Sequence, residues 1–197
     1  MSRRNLAILL FENAEVLDFC GPFEVFSVAN ERHQDLLFNV FTVAEAPTIK
    51  ARNGLSVNAD YCLENCPPPQ ILLVPGGIGT RTEINNLALT NWIRRTSDAA
   101  ELVLSVCTGA LLLGKAGLLD DLDLTTHHVA YDRLRDLVPS ATVHEDQRFV
   151  DNGKVITSAG IAAGIDMSLH VVERLHGSAV ATATASHMEY PWNDPQP

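Results

Sequence analysis

Cys107 follows the apolar run Leu102-Val103-Leu104-Ser105-Val106 and directly precedes Thr108-Gly109-Ala110-Leu111-Leu112-Leu113. A strand that turns at once into a helix of small and aliphatic residues has the layout of a nucleophile elbow, here with a thiol as the nucleophile. A helix N-terminus carries unpaired N–H groups and the positive end of the dipole, and both favour an anion. A thiol placed there is expected to ionise more easily, and the thiolate is its reactive form. Thr108 brings a hydroxyl beside the sulfur, and Gly109 leaves room at the turn. The plainer reading is a buried structural cysteine, the usual fate of a free thiol.

Other polar or glycine-rich positions fall at the ends of apolar runs. Asp18 stands just before Phe19-Cys20-Gly21-Pro22, where a helix is expected to open. It reads as an N-cap or as a carboxyl group of the site. Ile71-Leu72-Leu73-Val74 leads into Pro75-Gly76-Gly77-Ile78-Gly79. Gly76 and Gly77 make either a tight turn or a backbone that hugs a substrate and offers N–H groups to it. No lysine follows in Walker spacing, so a phosphate loop is not indicated. His127 and His128 end another run, and a histidine there reads either as a general base for Cys107 or as a polar residue satisfied by backbone. Spacing does not separate the two. Gly160 and Ile161 follow Val155-Ile156-Thr157 at a further strand end, and Asp166 reads as structural within the next helix.

The elements that must hold these residues alternate. Strands are expected at Leu6–Phe11, Phe38–Val43, Ile71–Val74, Leu102–Val106, Leu124–Thr126 and Val155–Thr157. Their aliphatic residues run on both faces, as in parallel strands covered by helices. Helices are expected at about Pro22 to Arg32, Glu83 to Ala99, Thr108 to Ala116, Val129 to Leu137 and Ala162 to His176. In the last, Ile165, Leu169, Val172 and Leu175 recur at helical spacing. The alternation predicts a doubly wound α/β sandwich, in which ligands bind beyond the carboxyl ends of the strands.

The 197 residues suit a single domain over 1–197, and 46% hydrophobic content suffices for a buried core. A formal charge of -10 argues against a nucleic-acid surface. No apolar run reaches membrane-spanning length, so no membrane partner is expected. Arg3 and Arg4 precede a short apolar run, but Glu12 and Asn13 stand where a signal cleavage site would lie. A cytoplasmic protein is the expectation. Four cysteines, Cys20, Cys62, Cys66 and Cys107, do not make a disulfide framework. Cys62 and Cys66 have no second ligand pair and read as ordinary loop thiols, so no metal is expected. The tail Tyr190-Pro191-Trp192 to Pro197 is irregular, with aromatic rings that can pack on a neighbouring surface or a second subunit.

From Leu6 to about Tyr190 the chain resembles the ThiJ/PfpI superfamily. The motifs are Leu17-Asp18-Phe19-Cys20-Gly21-Pro22-Phe23-Glu24-Val25-Phe26, Val74-Pro75-Gly76-Gly77, Val106-Cys107-Thr108-Gly109-Ala110, Thr125-Thr126-His127 and Thr157-Ser158-Ala159-Gly160-Ile161 through Asp166. The resemblance implies a flavodoxin-like, class I glutamine amidotransferase-like sandwich and a homodimer. Asp at position 18 and Cys-Thr-Gly at the elbow look most like the isonitrile (isocyanide) hydratase branch and the sensor domains of AraC-type regulators. Protease- and deglycase-like relatives usually have Glu at the first position and often His after the Cys. Thr108 departs from that pattern.

Asp18 thereby becomes an expected site residue, bonded to the nucleophilic sulfur and to substrate. The expected activity is hydration of an isonitrile to an N-substituted formamide, with Cys107, Asp18 and Thr108 as catalytic residues. Gly76, Gly77, Gly160, Ile161 and His127 are expected to bind the small-molecule substrate, and no cofactor is called for. The rival readings are a stand-alone ligand or redox sensor, and a glyoxalase- or deglycase-like enzyme acting on reactive carbonyls. A self-contained AraC-type regulator would carry a helix-turn-helix region after these motifs, and none is read before Pro197.

Overall fold

The structure is a computed structural model that describes residues 3–31 and 36–192. In chain order the elements are β1 (Arg4–Leu9), α1 (Val16–Glu31), β2 (Phe38–Ala44), β3 (Thr48–Lys50), β4 (Ser56–Asn58), β5 (Tyr61–Cys62), β6 (Ile71–Val74), α2 (Thr80–Glu83), α3 (Leu87–Ala99) and β7 (Leu102–Val106). Then come α4 (Gly109–Lys115), β8 (Asp123–Leu124), α5 (Tyr131–Leu137), β9 (Thr142–Val143), β10 (Phe149–Asp151), β11 (Val155–Ser158), α6 (Ala163–His176) and α7 (Ser178–His187). Seven strands form the main sheet in the order β10-β11-β7-β6-β1-β2-β5. All neighbours pair in parallel except β10 with β11.

This is the expected mostly parallel sheet flanked by helices. The central strands are buried on both faces; every residue of β6 is buried, as are Leu6 to Leu9 of β1. Continuous Val/Ile/Leu runs satisfy that environment, because no side of the strand meets water. From β1 the chain passes to β2 on one side and later to β6 on the other. The switch point therefore lies between β1 and β6, where a crevice opens beyond the strand ends.

Several boundaries differ from the sequence reading. Helix α1 begins at Val16, not Pro22, so Asp18 lies inside its first turn and Pro22 lies within the helix. Pro22 has no N–H to give the carbonyl of Asp18 four residues earlier. Arg32, the expected end of this helix, lies outside the described residues. The expected helix Glu83 to Ala99 starts four residues later, at Leu87, and a separate short helix, α2, ends at Glu83. Asn86 starts α3 by accepting hydrogen bonds from Ala88 and Leu89 N–H at 3.1 and 3.2 Å, a side-chain N-cap. The strand expected over Leu124–Thr126 shrinks to Asp123–Leu124, and the hydroxyls of Thr125 and Thr126 are used in tertiary contacts instead. The β3–β4 hairpin, β5, β9, β10 and α7 were not read from the sequence. The hairpin turn contains Asn53-Gly54, both at positive φ (60° and 88°), a turn signal in its own right.

Candidate active site

Cys107 sits at the sharp turn between β7 and α4 with φ 57°, the left-handed region. A non-glycine residue held there stores strain that its surroundings must hold in place, and nucleophile elbows share that strain. The surroundings are explicit. The Cys107 N–H donates to the carbonyls of Ser158 (3.2 Å) and Ala159 (3.1 Å), and its carbonyl accepts from the Thr126 hydroxyl at 2.6 Å. Glycines make the approach possible: a Cβ on Gly76 would lie 2.5 Å from the Thr108 nitrogen, and one on Gly109 2.2 Å from the Val74 carbonyl oxygen.

Asp18 is fully buried. Its Oδ2 accepts the Gly76 N–H at 3.0 Å, which ties the first turn of α1 to the glycine loop after β6. It does not cap its own helix. Its Oδ1 is buried without a hydrogen-bond partner among the described residues. The Cys107 thiol and the Ile161 amide stand beside this carboxyl and pull its pKa down, yet neither reaches full hydrogen-bond geometry to Oδ1. Burial outweighs them, along with the Gly76 bond, and holds Asp18 up at about 7.

The thiol departs from the sequence expectation. Burial first, then the charge of Asp18, push Cys107 up to about 12, although the Thr108 N–H pulls the other way. Cys107 is only 5% exposed. The turn therefore does not produce a standing thiolate, because desolvation and the neighbouring carboxylate outweigh the few amides of a short helix. The Asp18–Cys107 pair instead loses one proton near neutrality and retains the second far above it.

Thr108 is tied to the opposite loop. Its Oγ1 accepts the Gly77 N–H at 2.9 Å and donates to the Gly77 carbonyl at 3.2 Å. Its hydroxyl braces the glycine loop against the elbow, and its backbone N–H is the donor that most favours a sulfur anion. Gly77 has φ 119°, and a Cβ there would lie 2.4 Å from the Glu15 nitrogen. Only glycine suits that backbone.

A cavity of about 290 Å³ opens above the sulfur. Cys107, Thr108, Gly77, Ile161 and His127 line it, joined by Ile78, Thr80, Leu111 and Val129. Gly76 contributes through its bond to Asp18 rather than as a wall. Gly160 lies under His127, and a Cβ there would come within 2.1 Å of the His127 Cδ2. His127 Nδ1 accepts the Val129 N–H at 3.3 Å, which leaves the other ring nitrogen to carry the proton. Burial and the neighbouring His128 keep this ring neutral at lower pH than usual. His128 stacks against it at 4.3 Å and does not line the cavity. The largest influences on the thiol are burial, Asp18 and Thr108, not a histidine.

Glu15, Arg52, Arg81 and Arg133 also line the cavity and were missed in the sequence. Asp166, read from the sequence as structural, does not line the cavity. It accepts from Arg148 Nε at 2.7 Å and from the Tyr190 hydroxyl at 2.9 Å, so the tail packs on its own chain. Positions 193–197 lie outside the described residues. Among the described residues no group of three or more His, Cys, Asp or Glu side chains converges to hold a metal, and no helix is long and apolar enough to cross a membrane.

Residues 4–174 match the DJ-1/PfpI family. The chain belongs to that family. Among DJ-1/PfpI relatives, it is 31% identical over 185 residues to the isonitrile hydratase of Pseudomonas putida, covering 94% of this chain and 78% of that enzyme. It is 32% identical over 173 residues to the HTH-type transcriptional regulator CdhR of Pseudomonas aeruginosa, covering 88% of this chain but 51% of the regulator. The chain thus spans about half the length of that regulator. The crystal structure of a ThiJ/PfpI family protein from Pseudomonas syringae superposes with a TM-score of 0.88 at 26% identity, covering all of this chain and 78% of that one. The mostly parallel sheet flanked by helices is thus the fold of that family.

Proposed function

We propose that this chain is an isonitrile hydratase-like enzyme, a cysteine-dependent lyase that converts an isonitrile and water into an N-substituted formamide. The observation that carries the proposal is the buried Asp18 carboxyl beside the Cys107 thiol, two groups that share one readily lost proton. The 31% identity to isonitrile hydratase supports it.

The singly protonated pair has two arrangements of equal charge: a carboxylate beside a thiol, and a carboxylic acid beside a thiolate. An isonitrile carbon needs both partners of the second arrangement, because it accepts a nucleophile and a proton on the same atom. The sulfur forms a bond to that carbon while Asp18 gives its proton to it, yielding a thioimidate and an Asp18 carboxylate. Water then attacks the thioimidate carbon, with Asp18 as base. The C–S bond breaks, one water proton ends on nitrogen, and the other returns to the pair. The Gly76 N–H holds Asp18 in place throughout, and the Thr108 N–H stabilises the departing sulfur.

The relationship to CdhR favours a second reading, a ligand-binding module without turnover. The burial and raised pKa of Cys107 weigh against a peroxide sensor, which needs an exposed thiol of low pKa. A homodimer belongs to the same proposal. Leu17 and Phe23 on α1 are each 38% exposed, two apolar side chains that a second copy would cover.

The test is to supply purified protein with small isonitriles and with methylglyoxal side by side, and to trap the adduct on Cys107 by mass spectrometry. Formamide production lost in both Cys107→Ala and Asp18→Asn is the expected result. Full turnover in either variant would overturn the assignment. Saturable binding without product would favour the sensor, and turnover of methylglyoxal alone the carbonyl enzyme.

A further inference from the structure

The wall of the Cys107 cavity contains three arginines from three separate segments. Arg52 belongs to the β3–β4 turn, Arg81 to α2 and Arg133 to α5. All three are exposed. None makes a side-chain hydrogen bond or ion pair with a described residue. Elsewhere Arg4, Arg135, Arg148 and Arg174 are each paired with a carboxylate.

The chain carries 24 acidic and 14 basic residues, so unpaired cations that converge on one concavity stand out against an acidic background. Glu15 is the carboxylate in the same wall, which leaves a formal charge of +2. The single negative charge of the Asp18–Cys107 pair does not cancel it. Cations around a cavity with low-dielectric walls concentrate anions there. A guanidinium also grips a carboxylate with two parallel hydrogen bonds.

We infer that the cavity takes an anionic substrate whose carboxylate engages this arginine cluster while its reactive carbon meets Cys107. On the hydratase reading, on which this second half rests, the substrate class is an isocyano carboxylic acid and the product an N-formyl amino acid. A volume of about 290 Å³ restricts it to small members of that class.

Two measurements test this. The first compares isocyanoacetate with its methyl ester, which share a skeleton and differ in charge. Wild-type protein is expected to favour the acid in kcat/KM by about tenfold or more, the worth of one charge-assisted contact. The preference should shrink in Arg52→Gln, Arg81→Gln and Arg133→Gln, and in high salt. The second needs no turnover: the rates at which iodoacetate and iodoacetamide alkylate Cys107, located by mass spectrometry. The iodoacetate-to-iodoacetamide ratio is expected to fall about tenfold when all three arginines are replaced by Gln. An unchanged ratio overturns the anion site, even if isonitriles are hydrated. A ratio that falls, with neither isonitrile consumed, upholds the anion site and sinks the hydratase reading instead.

Discussion

Asp18 Oδ2 is anchored by the Gly76 amide at 3.0 Å, and this anchor holds a fully buried carboxyl beside the Cys107 thiol. Glycine is required at 76, because any side chain would strike the Thr108 nitrogen and the Cys107 Cβ. This side-chain-to-backbone bond therefore ties the first turn of α1 to the loop after β6, and it fixes the carboxyl whose charge adds to burial in raising the thiol.

The first prediction concerns that protonation. Below about pH 7 both groups hold their protons, and the sulfur is an unactivated thiol. Above it the pair carries one negative charge, held almost wholly by the carboxylate, and the small thiolate population in exchange with it no longer changes with pH. Alkylation of Cys107 by iodoacetamide should accelerate as pH rises through about 7, level off, and rise again towards 12. Asp18→Asn removes the step near 7. It also removes the charge that opposes ionisation, so the thiolate absorbance should titrate below the wild-type midpoint of about 12. A midpoint at or above that of wild type would contradict the arrangement.

Stability should depend on the same carboxyl, with a sign opposite to the usual one for Asp. The folded state raises Asp18 from 3.8 to about 7. Between those pH values the native chain keeps a proton that the unfolded chain has lost. The contribution of Asp18 is full below about pH 4 and is lost as pH rises to about 7, a change of roughly 4 kcal/mol. Urea denaturation of wild type and Asp18→Asn across this range should show the wild type losing stability relative to the variant as pH rises. Parallel curves would mean that the carboxyl is not desolvated as described.

Two glycines separate crowding from backbone strain. A Cβ at Gly109 would lie 2.2 Å from the Val74 carbonyl oxygen, and neither backbone can yield without opening the elbow. Gly109→Ala is expected to cost about 3 kcal/mol and to abolish selective alkylation of Cys107. Gly117 has φ +76° with nothing within 4 Å of a Cβ. Gly117→Ala should cost only about 1 kcal/mol, the penalty of a left-handed alanine, and leave the thiol reactive. Equal losses in denaturation midpoints would show that packing at the elbow is looser than described.

The elbow was legible because a hydrophobic run ending in Cys-Thr-Gly changes period at one residue. The parallel sheet was legible because buried strands must be apolar on both faces. The short strands and the hairpin were not, since two or three residues carry no readable alternation. The Asp18–Gly76 bond joins positions 58 apart in the chain, and no local pattern encodes it. The thiol was misread for a related reason: helix-end amides are visible in sequence, but the burial and facing carboxylate that outweigh them are tertiary. Arg52, Arg81 and Arg133 were missed because each, taken alone, is an ordinary surface arginine.

The last prediction concerns the tail. Asp166, at the start of α6, is held from two sides by Arg148 and the Tyr190 hydroxyl. The Arg148 carbonyl also accepts the Ala159 N–H at 2.9 Å, so the same residue steadies the turn that carries Gly160 and Ile161. Tyr190→Phe removes one neutral donor to a largely buried carboxylate and should cost about 2 kcal/mol, with alkylation of Cys107 unchanged. Asp166→Ala leaves both Arg148 and Tyr190 without their partner. It should destabilise the protein by more than Tyr190→Phe does, and it should loosen the Ile161 turn enough to change the alkylation rate. If Asp166→Ala proves as mild as Tyr190→Phe in both measurements, the Arg148–Asp166–Tyr190 contact does not support the site.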